Sequence, residues 1–426
     1  MTGGLNQSLS RAVASALGLG RPFFLLLIAG FLSDIGGFAT QTALVLHIYR
    51  LTGGSTAYMG LVALATLGPM MLSAPIGGVW AERFPRLRIM IANDLFRIPV
   101  VLLMMATENV PLLLLLQSLV CASTALFMPA RQALFPDILE PQQLELGNAV
   151  NGGMLSVGHV LSPILGALVY ARGGSFGYVV ALEALTYAAS ALLLSRLKEP
   201  SRQVKAQPYF GLWRDIRDGF RYVRGEPDLR QIFIILLASS LGFGLMIPLL
   251  RPFIKESLHE GDAVYAALVA WFGAGGVFGP PIGFVMGRSL GLGRTLLICF
   301  FLDAVVFTLW SWTTTLWSSC ALIFTWGVVV FGLIPCYTSY LHTFAKKEFM
   351  GRTFALFDQT SYLPQILAAG LVATLGDRLP GVKLLNAAGI VYIAVVLLTL
   401  PSSGGHMLRR RDARVFAAAK GSSSSG

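Results

Sequence analysis

Long apolar segments separated by short polar turns run along nearly the whole chain. Runs of about 20 or more apolar residues recur, and each is long enough to cross a hydrocarbon core of about 30 Å. Backbone groups inside lipid must pair within their own segment, so these runs predict membrane-spanning helices. The chain is therefore predicted to be an all-α polytopic membrane protein. The twelve predicted spans cover residues 22–49, 55–80, 87–107, 111–135, 144–170, 176–195, 230–251, 262–287, 294–314, 316–344, 354–376 and 381–400.

Composition and charge placement support this topology. Hydrophobic residues make up 55% of the chain and charged residues 12%, against about 25% charged in a soluble domain. Most of the 32 Lys and Arg residues fall in the tails and in alternate turns, which predicts that both termini are cytoplasmic. The net charge of +11 then reflects topology and contact with anionic lipid, so no nucleic-acid partner is expected. In the turns predicted to lie outside, the basic residues are only Arg50, Arg172, Arg251, Lys255, Arg378 and Lys383.

One long polar interval divides the chain almost in half and carries an amphipathic pattern from Phe210 to Arg224, typical of a helix lying in the membrane interface. The first span is too long for a signal peptide and should remain in the protein. The segment Gly421 to Gly426 resembles a linker. The predicted organisation is a cytoplasmic tail (1–21), a six-helix half (22–195), a linker with an amphipathic helix (196–229), a second six-helix half (230–400) and a basic cytoplasmic tail (401–426).

The two predicted halves share a weak internal repeat. Ser33-Asp34-Ile35-Gly36 corresponds to Ser239-Ser240-Leu241-Gly242 at an offset of 206 positions. The same or nearly the same offset relates Pro129 to Pro335, Arg88 to Arg294, and Arg97 to Asp303. Two pseudo-symmetric six-helix halves place a substrate site near mid-membrane between them, with access alternating as the halves rock.

Several short motifs carry a family resemblance over roughly residues 20–400. They are the turn Glu82-Arg83-Phe84-Pro85-Arg86, the turn Thr52-Gly53-Gly54-Ser55, and Phe127-Met128-Pro129-Ala130-Arg131 with Asn148-Ala149. On these residues the chain resembles the major facilitator superfamily, and within it the branch of macrolide-efflux and enterobactin-type siderophore exporters. The resemblance implies the major facilitator fold, with both termini cytoplasmic.

The same resemblance implies a cytoplasmic gate. In the family motif an acid in the turn between spans two and three engages the facing half and closes the inner side. Glu82 matches that acid, and Pro85 stands where the family has a second Gly; the counterpart turn at Gly287-Arg288 lacks the acid. The alternative interpretation is a solvated turn that serves only topology. The predicted gate residues are Gly78, Glu82, Arg83, Arg86, Arg88, Arg131 and Asp358, of which Arg131 and Asp358 could equally serve topology.

Charged residues inside the predicted spans are candidates for proton coupling or for binding substrate charge. An ionised carboxylate such as Asp34 in span one is costly in a membrane. It could exchange a proton or pair with a cationic substrate, or it could only hold span one to a neighbour. Asp94 and Arg97 share one helical face and favour a structural pair, although Arg97 could also contact Asp303. Glu183 is interpreted as a buried polar residue that holds neighbouring helices together, although an unpaired acid could titrate.

A substrate cavity is expected between spans one, four, seven and ten. Aromatic and Met side chains adapt to varied shapes, which fits an amphipathic organic solute; at helical spacing they can equally be plain core. The candidate cavity residues are Phe38, Gln41, Met128, Ser240, Phe243, Met246 and Tyr337.

No phosphate loop, nucleotide fingerprint, nucleophile motif or metal-ligand spacing is present, so neither an enzyme nor a cofactor is predicted. The leading hypothesis is a monomeric, proton-coupled secondary exporter of an organic compound in the bacterial cytoplasmic membrane. The reduced glycine pattern of span five, Gly158 with Gly166, supports export, but Leu112 to Ser118 lacks the basic residue of many drug–proton antiporters. The alternatives are a lysophospholipid flippase of the same fold and a non-transporting membrane sensor or assembly protein.

Overall fold

The computed structural model describes residues 18–140, 143–173, 175–199, 212–344 and 350–403. Within these ranges the side chains of a few helical residues, including Glu82 and Asp358, lie outside the description. The predicted terminal tails and the first part of the predicted linker lie largely outside it as well.

The described chain is helical and is broken only by short turns and one π-helical stretch, Ile254–Leu258. Its helices follow the predicted spans closely, and a further helix lies where the amphipathic pattern occurs. The helices are α1 (Arg21–Leu51), α2 (Thr56–Arg83), α3 (Arg86–Met105), α4 (Val110–Ile138), α5 (Leu144–Gly173), α6 (Phe176–Leu194), α7 (Leu212–Gly225), α8 (Pro227–Phe253), α9 (Asp262–Leu290), α10 (Leu292–Ser311), α11 (Leu316–Phe344), α12 (Met350–Leu375) and α13 (Gly381–Ser403).

Ten helices within the described ranges are long and apolar enough to cross a membrane. The prediction of an all-helical protein with many membrane spans is therefore confirmed. Helix α3 carries four charged residues in its first twelve positions, and the described apolar run of α12 is only Thr360–Leu375. The count of twelve spans and the side on which the termini lie remain predictions.

Local sequence accounts for where several helices begin. Ser55 accepts a hydrogen bond from the Tyr58 N–H at the start of α2, and Asn109 accepts from the Leu112 N–H at the start of α4. Such caps pair backbone donors that the helix itself leaves free. Gly53 and Gly54 adopt positive φ between α1 and α2, which lets the chain turn tightly without the strain that a side chain would add.

The chain divides into two compact units. Unit 1 comprises residues 1–208 together with Glu260–Ala270 and Ala369–Asp377; unit 2 comprises the remainder. Unit 1 therefore includes the first turns of α9 and the end of α12.

Similar helix pairs form the core of each unit. In unit 1, α1 packs on α5 and α6, α2 packs on α4, and α3 packs on α4 and α6. In unit 2, α10 packs on α11 and α13, and α8 packs on α13. A tight seam also joins α9 to α11, since a Cβ at Gly279 would lie 2.6 Å from the Val328 carbonyl oxygen. Small residues at such seams let helix backbones approach closely.

Candidate functional site

An ion pair joins α1 to α4 inside unit 1. Arg131 Nη1 donates to Asp34 Oδ2 at 2.7 Å, and Nη2 donates to Asn151 Oδ1 on α5 at 3.0 Å. The Asp34 side chain is 15% exposed and that of Arg131 6%. A Cβ at Gly30 would lie 2.8 Å from Arg131 Cζ, so Gly30 leaves the space that the guanidinium occupies.

This pair unites two residues that the sequence assigned to different roles. Asp34 was a candidate for proton coupling, and Arg131 was a candidate gate or topology residue. Removing a charge from water inside a span is costly unless an opposite charge and further hydrogen bonds compensate it. Arg131 supplies the opposite charge for Asp34, and its hydrogen bond to Asn151 orients the guanidinium.

A second ion pair lies within α3. Arg97 Nη1 lies 3.3 Å from Asp94 Oδ1, and both side chains are almost fully buried. Ser190 of α6 donates to Asp94 Oδ2 at 2.6 Å, and Arg97 Nε donates to Ser123 of α4 at 3.1 Å. Ser33 of α1 contacts both partners at 3.3–3.4 Å. The two charges therefore compensate each other within a network that joins four helices.

The guanidinium of Arg97 also lies over two aromatic rings. Its Cζ is 4.9 Å from the centroid of Phe127 and 5.2 Å from that of Tyr187. The Tyr187 hydroxyl in turn donates to Glu183 Oε1 at 2.8 Å. Within the described ranges, no basic side chain lies within 4.0 Å of Glu183, and the Tyr187 hydroxyl that binds it is neutral.

Asp303 of α10 is a deeply buried carboxylate of unit 2 and is only 2% exposed. Ser239 donates to its Oδ2 at 2.7 Å, Trp326 Nε1 donates to its Oδ1 at 2.6 Å, and the Tyr392 hydroxyl also donates to Oδ2. Among the residues that the structure describes, no Lys, Arg or His lies within 4.0 Å of Asp303. Its partners are three neutral donors.

The internal repeat relates the two buried sites. Ser33 and Ser239 are counterparts, Arg97 and Asp303 are counterparts at the same offset, and Tyr187 corresponds to Tyr392 at 205 positions. In each unit the serine hydrogen bonds to the central charged residue, whereas the tyrosine ring lies under Arg97 and the tyrosine hydroxyl binds Asp303. The repeat therefore conserves the surroundings and reverses the central charge.

The predicted gate turn is built mainly around Arg86. This side chain is buried, donates to Asp137 Oδ2 of α4 at 2.5 Å and also donates to the Ala133 carbonyl oxygen. Arg83 and Arg88 are exposed. A Cβ at Gly78 would meet nothing within 4 Å. The side chains of Glu82 and Asp358 lie outside the described residues, so their gate roles stay predictions.

Two acids that the sequence interpretation overlooked lie beside this turn. Asp137 pairs with Arg86, and Glu199 Oε1 accepts from the Leu87 N–H at 3.3 Å near the start of α3. An acid there is favoured by the helix dipole. The positions of Asp137 and Glu199, just beyond the apolar runs of spans four and six, were the available signal.

The candidate cavity residues differ in burial. Phe38, Gln41 and Met128 in unit 1 are partly exposed, and the Phe38 ring lies 4.7 Å from the His159 ring. In unit 2, Phe243 and Tyr337 are partly exposed, whereas Ser240 and Met246 are buried. Phe243 packs on Phe272 and Trp326 at 5.8–5.9 Å between centroids.

Within the described residues, no group of three or more His, Cys, Asp or Glu side chains could hold a metal ion. The four cysteines, Cys121, Cys299, Cys320 and Cys336, are free and buried.

Several relatives of the chain are efflux proteins by name. It is 25% identical over 384 residues to "Macrolide efflux protein A" of Streptococcus pyogenes, covering 84% of this chain and 90% of that protein. It is 26% identical over 385 residues to "Enterobactin exporter EntS" of Escherichia coli O1:K1 / APEC, covering 87% and 89%.

A solved structure shares the fold. The crystal structure of a POT family transporter in complex with 5-aminolevulinic acid matches with a TM-score of 0.74 at 12% identity, over 90% of this chain and 96% of that one. The family model described as "Major Facilitator Superfamily" matches residues 26–369. The predicted resemblance is therefore confirmed, and the chain belongs to the Major Facilitator Superfamily as a multi-pass membrane transporter with efflux proteins among its relatives.

Proposed function

We propose that this protein is a proton-coupled secondary exporter that moves an amphipathic organic compound across the bacterial cytoplasmic membrane by alternating access. The efflux function in the names of its relatives supports the direction of transport and the class of substrate. The structural observation that carries the proposal is the Asp34–Arg131 ion pair on α1 and α4.

The pair offers a way for a proton to alter helix packing. Arg131 stays charged under all physiological conditions, so protonation of Asp34 removes one of its two acceptors and leaves Asn151. A buried cation that has lost its partner is unfavourable. Binding of a proton at Asp34 therefore favours a different arrangement of α1, α4 and α5, which is the kind of two-state bias that coupling requires.

Glu183 and Asp303 are further candidates for proton binding. Their hydrogen-bond partners are hydroxyl and indole groups. A proton on either acid would leave no arginine uncompensated, in contrast to a proton on Asp34. In the proposed cycle these two acids can therefore titrate without breaking an ion pair.

Transport into proteoliposomes tests the proposal. Purified protein is reconstituted, a pH gradient is imposed, and a panel of amphipathic compounds, including macrolides and siderophores, is offered. We expect gradient-driven movement of at least one compound, reduced about tenfold or more, equivalent to about 1.4 kcal/mol, by Asp34→Asn. The exposed acid Glu140 provides a matched control, and Glu140→Gln should transport like the unaltered protein.

The same assay separates the alternatives. Gradient-independent movement of lysophospholipid would favour the flippase, and the absence of any substrate-linked flux would favour a sensor or assembly protein. Proton-driven transport that survives Asp34→Asn unchanged would remove Asp34 from the coupling mechanism.

A further inference from the structure

The end of α1 is joined to the start of α9 by an ion pair at the predicted outer face. Arg50 Nη2 lies 2.6 Å and its Nε 2.8 Å from Asp262 Oδ2. The guanidinium also lies over the Tyr170 ring of α5, with Cζ 4.8 Å from the centroid. Asp262 is the first residue of α9, where a carboxylate is favoured by the helix dipole.

A second carboxylate binds the start of α2. Asp377, which follows α12, accepts from the Ser55 hydroxyl at 2.7 Å and from the Ala57 N–H at 3.0 Å. These donors belong to the cap and first turn of α2. Asp377 thus places a negative charge where the helix presents unpaired N–H groups.

Close backbone packing accompanies the contact of Asp377 with α2. A Cβ at Gly60 would lie 2.6 Å from the Ala369 carbonyl oxygen, and one at Gly376 would lie 2.9 Å from Thr56 Cγ2. The backbones of α2 and α12 therefore approach closely next to the turn where the charged groups also lie.

We propose that Arg50–Asp262 and Asp377 with the start of α2 form one outer latch, which must open before substrate leaves on the outer side. The inference rests on the proposed alternating-access function. The sequence predicted an acidic gate residue only at Glu82, on the predicted inner face. The outer latch uses a different acid, Asp377, which binds the opposite end of α2.

Exposure of the latch suits it to repeated opening. The Arg50 side chain is 55% exposed and that of Asp262 21%, and exposed ion pairs are individually weak. Water can replace each partner when the contact breaks. Two weak contacts placed together can bias a two-state equilibrium without locking it.

Distance measurement by electron paramagnetic resonance tests the latch without relying on transport. Spin labels are placed at Leu51→Cys and Ala263→Cys, both exposed positions, in protein whose native cysteines are buried. We expect one short distance in the unaltered latch. The double variant Arg50→Gln with Asp377→Asn should raise the ratio of longer to shorter distances at least about threefold, equivalent to about 0.7 kcal/mol by the factor of ten per 1.4 kcal/mol.

Two controls separate a latch from general damage. Arg378→Gln alters an exposed charge beside Asp377 and should leave the distribution unchanged. The charge exchange Arg50→Asp with Asp262→Arg should restore part of the short-distance population that either single reversal loses, because the pair is regained while the start of α9 then carries a cation. A double variant that is folded, as judged by a cooperative thermal unfolding transition, and retains the short distance would overturn the latch.

The outcome also distinguishes the latch from the function on which it rests. If no compound is transported but the latch variants lengthen the distance, the exporter assignment fails and the latch stands. If proton-driven export is measured and the latch variants change neither the distance nor the rate of substrate release, the latch alone fails.

Discussion

The two repeat-related cores surround opposite charges with similar groups. In unit 1 a serine and a tyrosine flank Arg97, whose charge is balanced by Asp94. In unit 2 the corresponding serine and tyrosine flank Asp303, whose described partners are neutral. A hydrogen-bonding serine and a nearby tyrosine are thus common to both cores, whereas the central charge has the opposite sign. The charge of Arg97 is therefore balanced by Asp94, whereas Asp303 has no basic partner within 4.0 Å among the residues that the structure describes.

Removal of Arg97 should produce the largest effect on this comparison. Arg97→Met leaves Asp94 buried without its cation, which should lower the free energy of unfolding of unit 1 by about 3–5 kcal/mol. Chemical unfolding in detergent, followed by tryptophan fluorescence and circular dichroism, measures the loss. Adding Asp94→Asn to Arg97→Met removes both charges and should recover much of the stability. If Arg97→Met alone were as stable as the unaltered protein, the Asp94–Arg97 ion pair would not contribute to the stability of unit 1.

The glycine seam of unit 2 should produce the next largest effect. Gly279→Ala forces a Cβ into the Val328 backbone of α11, and overpacking of this kind costs about 1–3 kcal/mol. Gly68→Ala is the matched control in α2, because a Cβ there meets nothing. Thermal unfolding of the two variants in the same detergent measures the difference. Equal melting temperatures would contradict the close approach of α9 and α11.

Neutralising Asp303 should cost less than removing Arg97. Asp303→Asn keeps one carbonyl acceptor, and the hydroxyls of Ser239 and Tyr392 can rotate to accept from the new amide. The expected loss of unfolding free energy is about 1 kcal/mol, measured by chemical unfolding at neutral pH. A loss as large as that of Arg97→Met would contradict the difference between the two cores.

The acids that bind helix N-termini give the smallest expected effect. Burial alone would raise the pKa of Asp377, but hydrogen bonds from Ser55 and from the N–H groups of Ala57 and Thr56 lower it below its usual value. Its contribution to stability is therefore present above the unfolded pKa and is lost as pH falls through the lowered value.

Thermal unfolding between about pH 6 and pH 3, spanning the usual Asp pKa of about 3.9, measures this loss. Asp377→Asn should flatten the decline. In unit 2, Glu256 contacts the Val382 N–H at the longer distance of 3.4 Å, so Glu256→Gln should change the same curve less. A larger effect from Glu256→Gln would reverse the predicted order.

Sequence reasoning located the helices because their signal is local. Apolar runs of span length and polar turns determine where α1 or α10 begins and ends, and the spacing of three residues between Asp94 and Arg97 places them on one face. The internal repeat also identifies Ser33 and Ser239 as counterparts, and in the structure each forms a hydrogen bond with the central charged residue of its unit.

Contacts between distant segments could not be predicted in the same way. Asp34 and Arg131 are separated by 97 positions, and their pairing depends on the rotation of α1 against α4. No sequence period specifies that rotation. The outer latch depends likewise on which turn of α9 and α12 meets α1 and α2.

Ser55 gives the outer contact a further property. Its hydroxyl donates to Asp377 and also accepts from the Tyr58 N–H. When Asp377 departs, the first turn of α2 still has its own cap and need not unwind. The outer latch can therefore open and close without refolding of α2, so its closing requires side-chain motion and not helix nucleation.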